Sequence, residues 1–188
     1  MSHPKEENKE MKYLITAAIL VAVSLLSSPP AKAQAACAQT LVSTATRAYL
    51  ERNFPGWRMV NVDDLSADHK QLWLKDHRKE CPGITTGRFE PSGNWSTAVL
   101  LISKTPSDSR AKVILINTTR WTHRTLANFK DARPIPVLFK APRGSYQSWD
   151  DSQKVRSKYS VIALVTYEAS ATAFYWSKGK FCEIAISD

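Results

Sequence analysis

Residues 96–103 read Ser-Thr-Ala-Val-Leu-Leu-Ile-Ser and residues 111–117 read Ala-Lys-Val-Ile-Leu-Ile-Asn, separated by Lys-Thr-Pro-Ser-Asp-Ser-Arg. The two outer runs are apolar, short and rich in branched side chains, as strands are. The segment between them collects turn formers, so the two strands turn back on each other. Working towards the C-terminus, Pro136 to Phe139 is a weaker strand, whose prolines suit only a sheet edge. Val161 to Tyr167 is strongly apolar. Ala171 to Trp176 and Phe181 to Ser187 flank Ser177-Lys178-Gly179-Lys180 and read as a hairpin with glycine in its turn.

Towards the N-terminus the period changes. Residues 36–52 read as a helix, with Leu41, Ala45, Tyr49 and Leu50 near one face, ended by Pro55-Gly56. Arg58 to Val62 is a short strand. Asp64 or Ser66 caps a second helix through about Arg78, with Leu65, Leu72 and Trp73 on its inner face. The expected fold class is therefore α+β: two N-terminal helices followed by a mainly antiparallel β-sheet of five to seven strands.

The first 33 residues do not belong to that fold. A polar start is followed by Met11-Lys12 and an apolar run from Tyr13 to Leu26, too short for a membrane span. Ser27-Ser28-Pro29-Pro30 stops it, and Ala31-Lys32-Ala33 is a small-x-small cleavage pattern. Residues 1–33 thus read as a secretory signal peptide, with Met11 as an alternative start because Glu6, Glu7 and Glu10 are unusual in a basic leader. Ala35-Ala36-Cys37 would suit lipidation of Cys37, but Gln34 stands where a large aliphatic residue is wanted. The expected location is periplasmic or secreted, with residues 34–188 as a single domain and no stable membrane span.

The sequence of 188 residues holds 26 lysines and arginines against 17 acidic residues. Loss of residues 1–33 removes four lysines and three glutamates, leaving 22 against 14 and a charge of +8. That charge favours anionic partners, and outside the cytoplasm these are envelope polymers, anionic lipids or acidic proteins more than nucleic acid. It serves solubility equally well. Cys37, Cys81 and Cys182 allow one disulfide and leave one thiol, and spacing does not choose the pair. Cys182 alternates with Ile184 and Ile186, so it should face the core. These cysteines have no histidine at a ligand spacing, so no metal site and no cofactor is expected.

Catalytic templates are absent: there is no G-x-S-x-G, H-E-x-x-H, Walker loop or C-x-x-C. His77 and Cys81 lie one helical turn apart, yet a thiol in an oxidising compartment is readily lost to a disulfide. His77 reads better as a cation near a helix C-terminus. Glu90 and Glu168 are the carboxylates nearest to apolar strands, and together they would be the pair for a hydrolase. The cluster Arg120-Trp121-Thr122-His123-Arg124 follows a strand end, on a loop or an early helix. An aromatic ring flanked by cations can stack on a sugar or a base while the arginines hold an anion. Trp149, beside Asp150 and Asp151, and Trp95 lie in other loops. Each tryptophan alone would also serve to plug a sheet edge; as a set they suit a binding surface. Arg120, Trp121, His123, Arg124 and Trp149 are thus the candidate partner-binding residues. Asn94-Trp95-Ser96 and Asn117-Thr118-Thr119 match the glycosylation sequon and are read as chance.

Three stretches carry a family resemblance. They are Phe54-Pro55-Gly56-Trp57 through Trp73, His77 through Cys81-Pro82-Gly83-Ile84 to Gly87-Arg88-Phe89, and Glu168-Ala169-Ser170-Ala171 to Asp188. Together they resemble small secreted proteobacterial proteins with a loop of the FG-GAP or calcium-loop type. These are distantly similar to periplasmic lysozyme-inhibitor and immunity proteins. The resemblance implies a calcium loop at Arg88 to Asn94. Glu90 is its only anion, with Ser92 and Asn94 as neutral oxygens, so the loop is expected to persist as a turn without calcium. It also implies a non-catalytic binding protein, with an inhibitor or immunity role against a cell-wall hydrolase or toxin as its sharpest form. A +8 inhibitor would be repelled by a basic lysozyme unless a local acidic face such as Asp150-Asp151 met it. A cell-wall-active hydrolase using Glu90 or Glu168, and a structural envelope protein binding anionic polymer, are the alternatives.

Overall fold

In the computed structural model the described residues are Cys37 and residues 42–186. The expected signal peptide, the alternative start at Met11, the start of the expected first helix and the last two residues lie outside them.

Among the described residues the protein is mainly antiparallel sheet with few helices. Helix α1 spans Thr44–Asn53, where the Ser43 hydroxyl accepts the Thr46 N–H and satisfies an otherwise unpaired donor. Strand β1, Trp57–Met59, separates it from α2, Ala67–Asp76. Of the two candidate caps for α2, Ser66 holds the position, accepting the His69 N–H at 3.3 Å. Asp64 instead closes a short 3-10 turn over Val62–Asp64 and pairs with Arg58 at 2.6 Å. On α2 Trp73 is fully buried, whereas Leu72 is only half-buried.

The strands that follow are β2 (Ile84–Gly87), β3 (Ser96–Ser103), β4 (Ala111–Asn117), β5 (Thr122–Phe129), β6 (Val137–Ala141), β7 (Gly144–Gln147), β8 (Lys154–Ser157), β9 (Val161–Thr166), β10 (Ser170–Ser177) and β11 (Lys180–Ile186). The expectation of two helices followed by one sheet of five to seven strands is corrected. The short strand expected from Arg58 lies at Trp57–Met59 between the helices, but in all eleven strands form three sheets among the described residues. The missed strands β2, β5, β7 and β8 are short or polar, so no apolar alternation marks them.

In the first sheet the order is β1-β3-β4-β5, with β2 also paired to β3. In the second it is β11-β10-β9-β6, which puts the proline-flanked β6 on an edge. Lys178 and Gly179, both at positive φ, make the tight turn of the β10–β11 hairpin, a conformation glycine adopts without strain. The two sheets enclose one apolar cluster that includes Leu100, Ile114, Leu138, Ile162 and Phe174. Each fully buried leucine or isoleucine contributes roughly 1.5–3 kcal/mol. The outer face of the second sheet is covered as well: Val161, Ala163, Tyr175 and Ile184 form a smaller cluster under Tyr146 and Val155 of the β7–β8 hairpin. Cys182 packs against this cluster but stays half-buried.

The two flanks of the sandwich differ. On one, the Leu138 N–H donates to the Pro82 carbonyl at 2.7 Å, tying β6 to the entry of β2. On the other, β5 and β11 are the outermost strands of their sheets. No helix among the described residues is long and apolar enough to cross a membrane.

Candidate functional site

Two loops meet at one end of the first sheet. The 88–95 loop leads from β2 into β3, and the Thr118–Trp121 turn joins β4 to β5. Ser96 pairs with Asn117 across β3 and β4, and the Thr118 hydroxyl donates to the Trp95 carbonyl at 3.2 Å. Register then builds the floor of a cleft. Leu115 lies opposite Arg124 and Asn117 opposite Thr122, so all four face the second sheet. Glu90, Ser92 and Asn94 wall this floor from one side and Arg120 from the other, enclosing about 210 Å³. Two segments singled out separately in the sequence, the Glu90–Asn94 loop and the Arg120–Arg124 cluster, thus form one site.

The cleft is polar and its charges are arranged unequally. Glu90 is 8% exposed and lies 3.4 Å from the Arg124 guanidinium. Arg124 also sits over the rings of Trp176 and Phe181, at 5.6 and 5.5 Å. Held by a carboxylate and two rings, that guanidinium keeps a fixed position while remaining half-exposed. Arg120 has no ion-pair partner among the described residues, and its own backbone is pinned. The Asn117 amide oxygen accepts the N–H groups of Thr119 and Arg120, both at 3.0 Å.

Trp121 follows at φ 51°, a left-handed conformation that costs a non-glycine residue on the order of 1 kcal/mol. Its ring rests 5.4 Å from Tyr49 of α1 and remains over one-third exposed. Trp95, at the end of the other loop, is 54% exposed and carries Arg88 at 5.9 Å. Each of the two loops that form the cleft thus carries an exposed tryptophan, though neither ring is among the residues lining the cleft.

The expectation that Arg120–Arg124 is a loop or an early helix is corrected, because the segment is a turn followed by the first residues of β5. Strand alternation then separates its members. His123 pairs with Ile116 on the opposite face from Arg124 and reaches α1, where its Nδ1 hydrogen-bonds the Tyr49 hydroxyl at 2.8 Å and its ring meets Phe54 at 4.8 Å. Its ring thus packs against α1, while the residue stays exposed and still borders the cleft. Trp149 lies elsewhere, on the turn between β7 and β8, and is 70% exposed. Its N–H donates to the Ala185 carbonyl. Beside it the Asp150 carboxylate is held down at about 2 by the hydroxyls of Ser148 and Ser152 and by the Ser152 N–H.

Glu168 occupies the β9–β10 turn at positive φ and does not line the cleft with Glu90. His77 stacks on Trp73 at 4.3 Å and meets Glu80 at 3.1 Å, while Cys81 is bonded to Cys37, so no His77–Cys81 nucleophile exists. Cys182 is the free thiol. Among the described residues no group of histidine, cysteine or acidic side chains could hold a metal. In the calcium-like loop, Glu90 faces Arg124. No protein-family model matches this chain, and neither a curated protein nor a solved structure does.

Proposed function

We propose that this protein is a non-catalytic binding protein of the cell envelope whose cleft holds an anionic, hydroxyl-rich ligand, a segment of a charged glycan. The observation that carries this reading is Arg120, without an ion-pair partner among the described residues, on a pinned turn that lines one cleft with Arg124, while the two loops forming that cleft each carry an exposed tryptophan. An anionic sugar needs these elements: a fork of donors for its charge, amides and hydroxyls for its own hydroxyls, and a flat apolar surface for its ring face. Ser92, Asn94, Asn117 and Thr122 supply the neutral donors and acceptors. The leader at residues 1–33 and the charge of +8 agree with an envelope location and an anionic partner. Hydrolysis fits less well. Glu90 is engaged with Arg124, and no second carboxylate lines the cleft.

The test is calorimetric titration with oligogalacturonate, with neutral maltohexaose as control. Binding is expected for the anionic oligomer alone and should weaken as salt rises. Arg120→Ala and Trp121→Ala should each weaken it about tenfold with little change in melting temperature. Wild-type affinity in both variants would show that the cleft is not the site. Clearing of a peptidoglycan zymogram that disappears in Glu90→Gln would replace the binding reading with an enzymatic one.

A second reading, an inhibitor or immunity protein, is favoured by one observation: Trp149, 70% exposed at a hairpin tip, stands between buried Ser148 and the acidic pair Asp150 and Asp151. An aromatic anchor ringed by carboxylates suits a basic hydrolase. Retention of such an enzyme by the wild type and its loss in Trp149→Ala would support that role.

A further inference from the structure

A sheet edge is a row of backbone donors and acceptors, and most outer strands of the two large sheets are guarded. β1 and β2 are three and four residues long. β6 is preceded by Pro134 and Pro136 and tied to Pro82 through Leu138. In β5 the pairing with β4 shifts between Val113 and Ile114 and leaves Leu126 as an extra residue, which breaks its ladder. β11 has none of these guards: all seven of its residues, Lys180–Ile186, pair with β10 in unbroken register. Only Lys178 and Gly179 lie between Ser177 and its partner Lys180. The even-numbered residues of β11 therefore direct their N–H and C=O groups to β10, and the odd-numbered ones direct theirs outward. Ala185 agrees with this phase: its carbonyl accepts the Trp149 N–H at 3.2 Å, and Ser148 bridges Ile186 in the antiparallel sense. The chain thus lays the start of a strand on this edge and turns away at Asp150 and Asp151. Phe181 and Glu183 take no backbone partner on that side among the described residues. We propose that this vacant stretch of β11 docks an extended basic segment of another protein, added as an antiparallel strand in the register that Ser148 and Trp149 begin. The site lies outside the cleft and does not depend on the glycan reading.

The chemistry of the edge selects the occupant. Only a polypeptide presents donors and acceptors at the spacing of these rungs. Residues of an added strand opposite Phe181 and Glu183 would share their face. That face is the inner one, because Glu183 pairs with Phe174 of the main core and Phe181 packs against the same core. A recess of about 480 Å³ opens there between β11 and β5, with Leu126, Phe174 and Phe181 as apolar walls. Its charged side chains on this face are Arg124 and Glu183. Arg124 is engaged by Glu90, whereas Glu183 is exposed and has no ion-pair partner among the described residues. Lys180 and Cys182 alternate with Phe181 and Glu183 and turn their side chains to the outer face. An apolar side chain therefore fits opposite Phe181 and a cation opposite Glu183. Asp150 and Asp151 follow Trp149 at one end of the stretch, and Lys178 and Lys180 stand at the other. An antiparallel partner thus reads basic, any, apolar from its N-terminal side.

The probe is the peptide N-acetyl-Thr-Lys-Thr-Leu-Thr-amide, which sets lysine opposite Glu183 and leucine opposite Phe181. Amide hydrogen exchange followed by NMR reads the backbone directly. With peptide present, the Phe181 and Glu183 amides should exchange several-fold more slowly, while those of Cys182 and Ile184, already bonded to β10, should keep their rates. Methylating the leucine nitrogen should abolish binding, since that N–H meets the edge. Glu183→Lys should weaken the lysine peptide about fivefold and strengthen its glutamate counterpart. Oligogalacturonate should not displace the peptide. Binding that leaves the Phe181 and Glu183 amides at their free rates, or that oligogalacturonate displaces, would put the peptide elsewhere; the proposal falls and the glycan reading stands. Absence of peptide binding would overturn the proposal as well. Slowed exchange without peptide, growing with protein concentration, would give the edge to a second copy of this chain and overturn it too.

Discussion

Glu90 and Arg124 show how a single pair can be structural and functional together. Glu90 came to attention as a remnant of a calcium-like loop and Arg124 as part of an aromatic–cation cluster. Their contact depends on register, which neither segment reveals alone. The pair is lopsided, with the carboxylate side chain 10% exposed and the guanidinium 49%. Removing the arginine therefore leaves a nearly buried charge uncompensated, while removing the charge from the glutamate leaves a solvated cation. Arg124→Ala is expected to cost about 1–2 kcal/mol in urea unfolding, reduced for the exposed partner. Adding Glu90→Gln should recover part of the loss. A double variant no more stable than Arg124→Ala would show that burial of Glu90 does not depend on the pair. Asp150 allows a pH prediction. Its folded pKa of about 2 lies below that of a free aspartate, so its stabilising effect is present above pH ~4 and is lost as pH falls towards about 2. The melting-temperature gap between wild type and Asp150→Asn should accordingly be widest near neutrality and close by about pH 2. A gap that does not change with pH would mean that the Ser148 and Ser152 hydroxyls do not favour the carboxylate.

The elements read most clearly are those with a single strong signal. Strands β3, β4 and β9 announce themselves by apolar runs, and the β10–β11 hairpin by its glycine. Strand β5 is hidden because its first four residues, Thr122 to Thr125, are exposed and polar. It exists because β4 offers it a ladder, a tertiary reason that propensity does not carry. Gly83 illustrates the same dependence at the entry to β2. Its carbonyl accepts the Leu100 N–H at 2.8 Å, and a Cβ at this position would stand 2.2 Å from the Val60 carbonyl oxygen. The motif Cys81-Pro82-Gly83 reads as a turn, yet the glycine is required by close approach of two backbones. Gly83→Ala should destabilise the protein by about 2–4 kcal/mol, because the obstacle is backbone and cannot swing aside. Thermal melting will measure this, and a loss below about 1 kcal/mol would show that the β1–β3 region yields more easily than its packing suggests.

At the scale of the molecule, one flank of the sandwich is tied by backbone bonding and the other leaves β5 and β11 outermost. The disulfide between Cys37 and Cys81 spans 44 residues and links the chain ahead of α1 to the start of β2. Closing a loop of that length stabilises the fold by about 4 kcal/mol on a chain-entropy argument. Cys81 is fully buried, so mild reductant should act slowly on the folded protein. Guanidinium unfolding with and without prior reduction should show that difference in stability. Identical midpoints would mean that the crosslink does not constrain the unfolded chain.

By itself the sequence determined the predominance of antiparallel sheet, the strands with continuous apolar runs, the basic charge, and the residues worth examining at Glu90 and Arg120–Arg124. These properties are local or additive, so they can be read along the chain. The tertiary structure decided the rest. It joined Cys37 to Cys81 and left Cys182 free, placed Arg124 on the Glu90 side of the sheet and His123 on the helix side, and left Glu168 outside the cleft. The physical reason is register. In a strand, neighbouring side chains point to opposite faces, and only pairing with another strand determines which face each one meets.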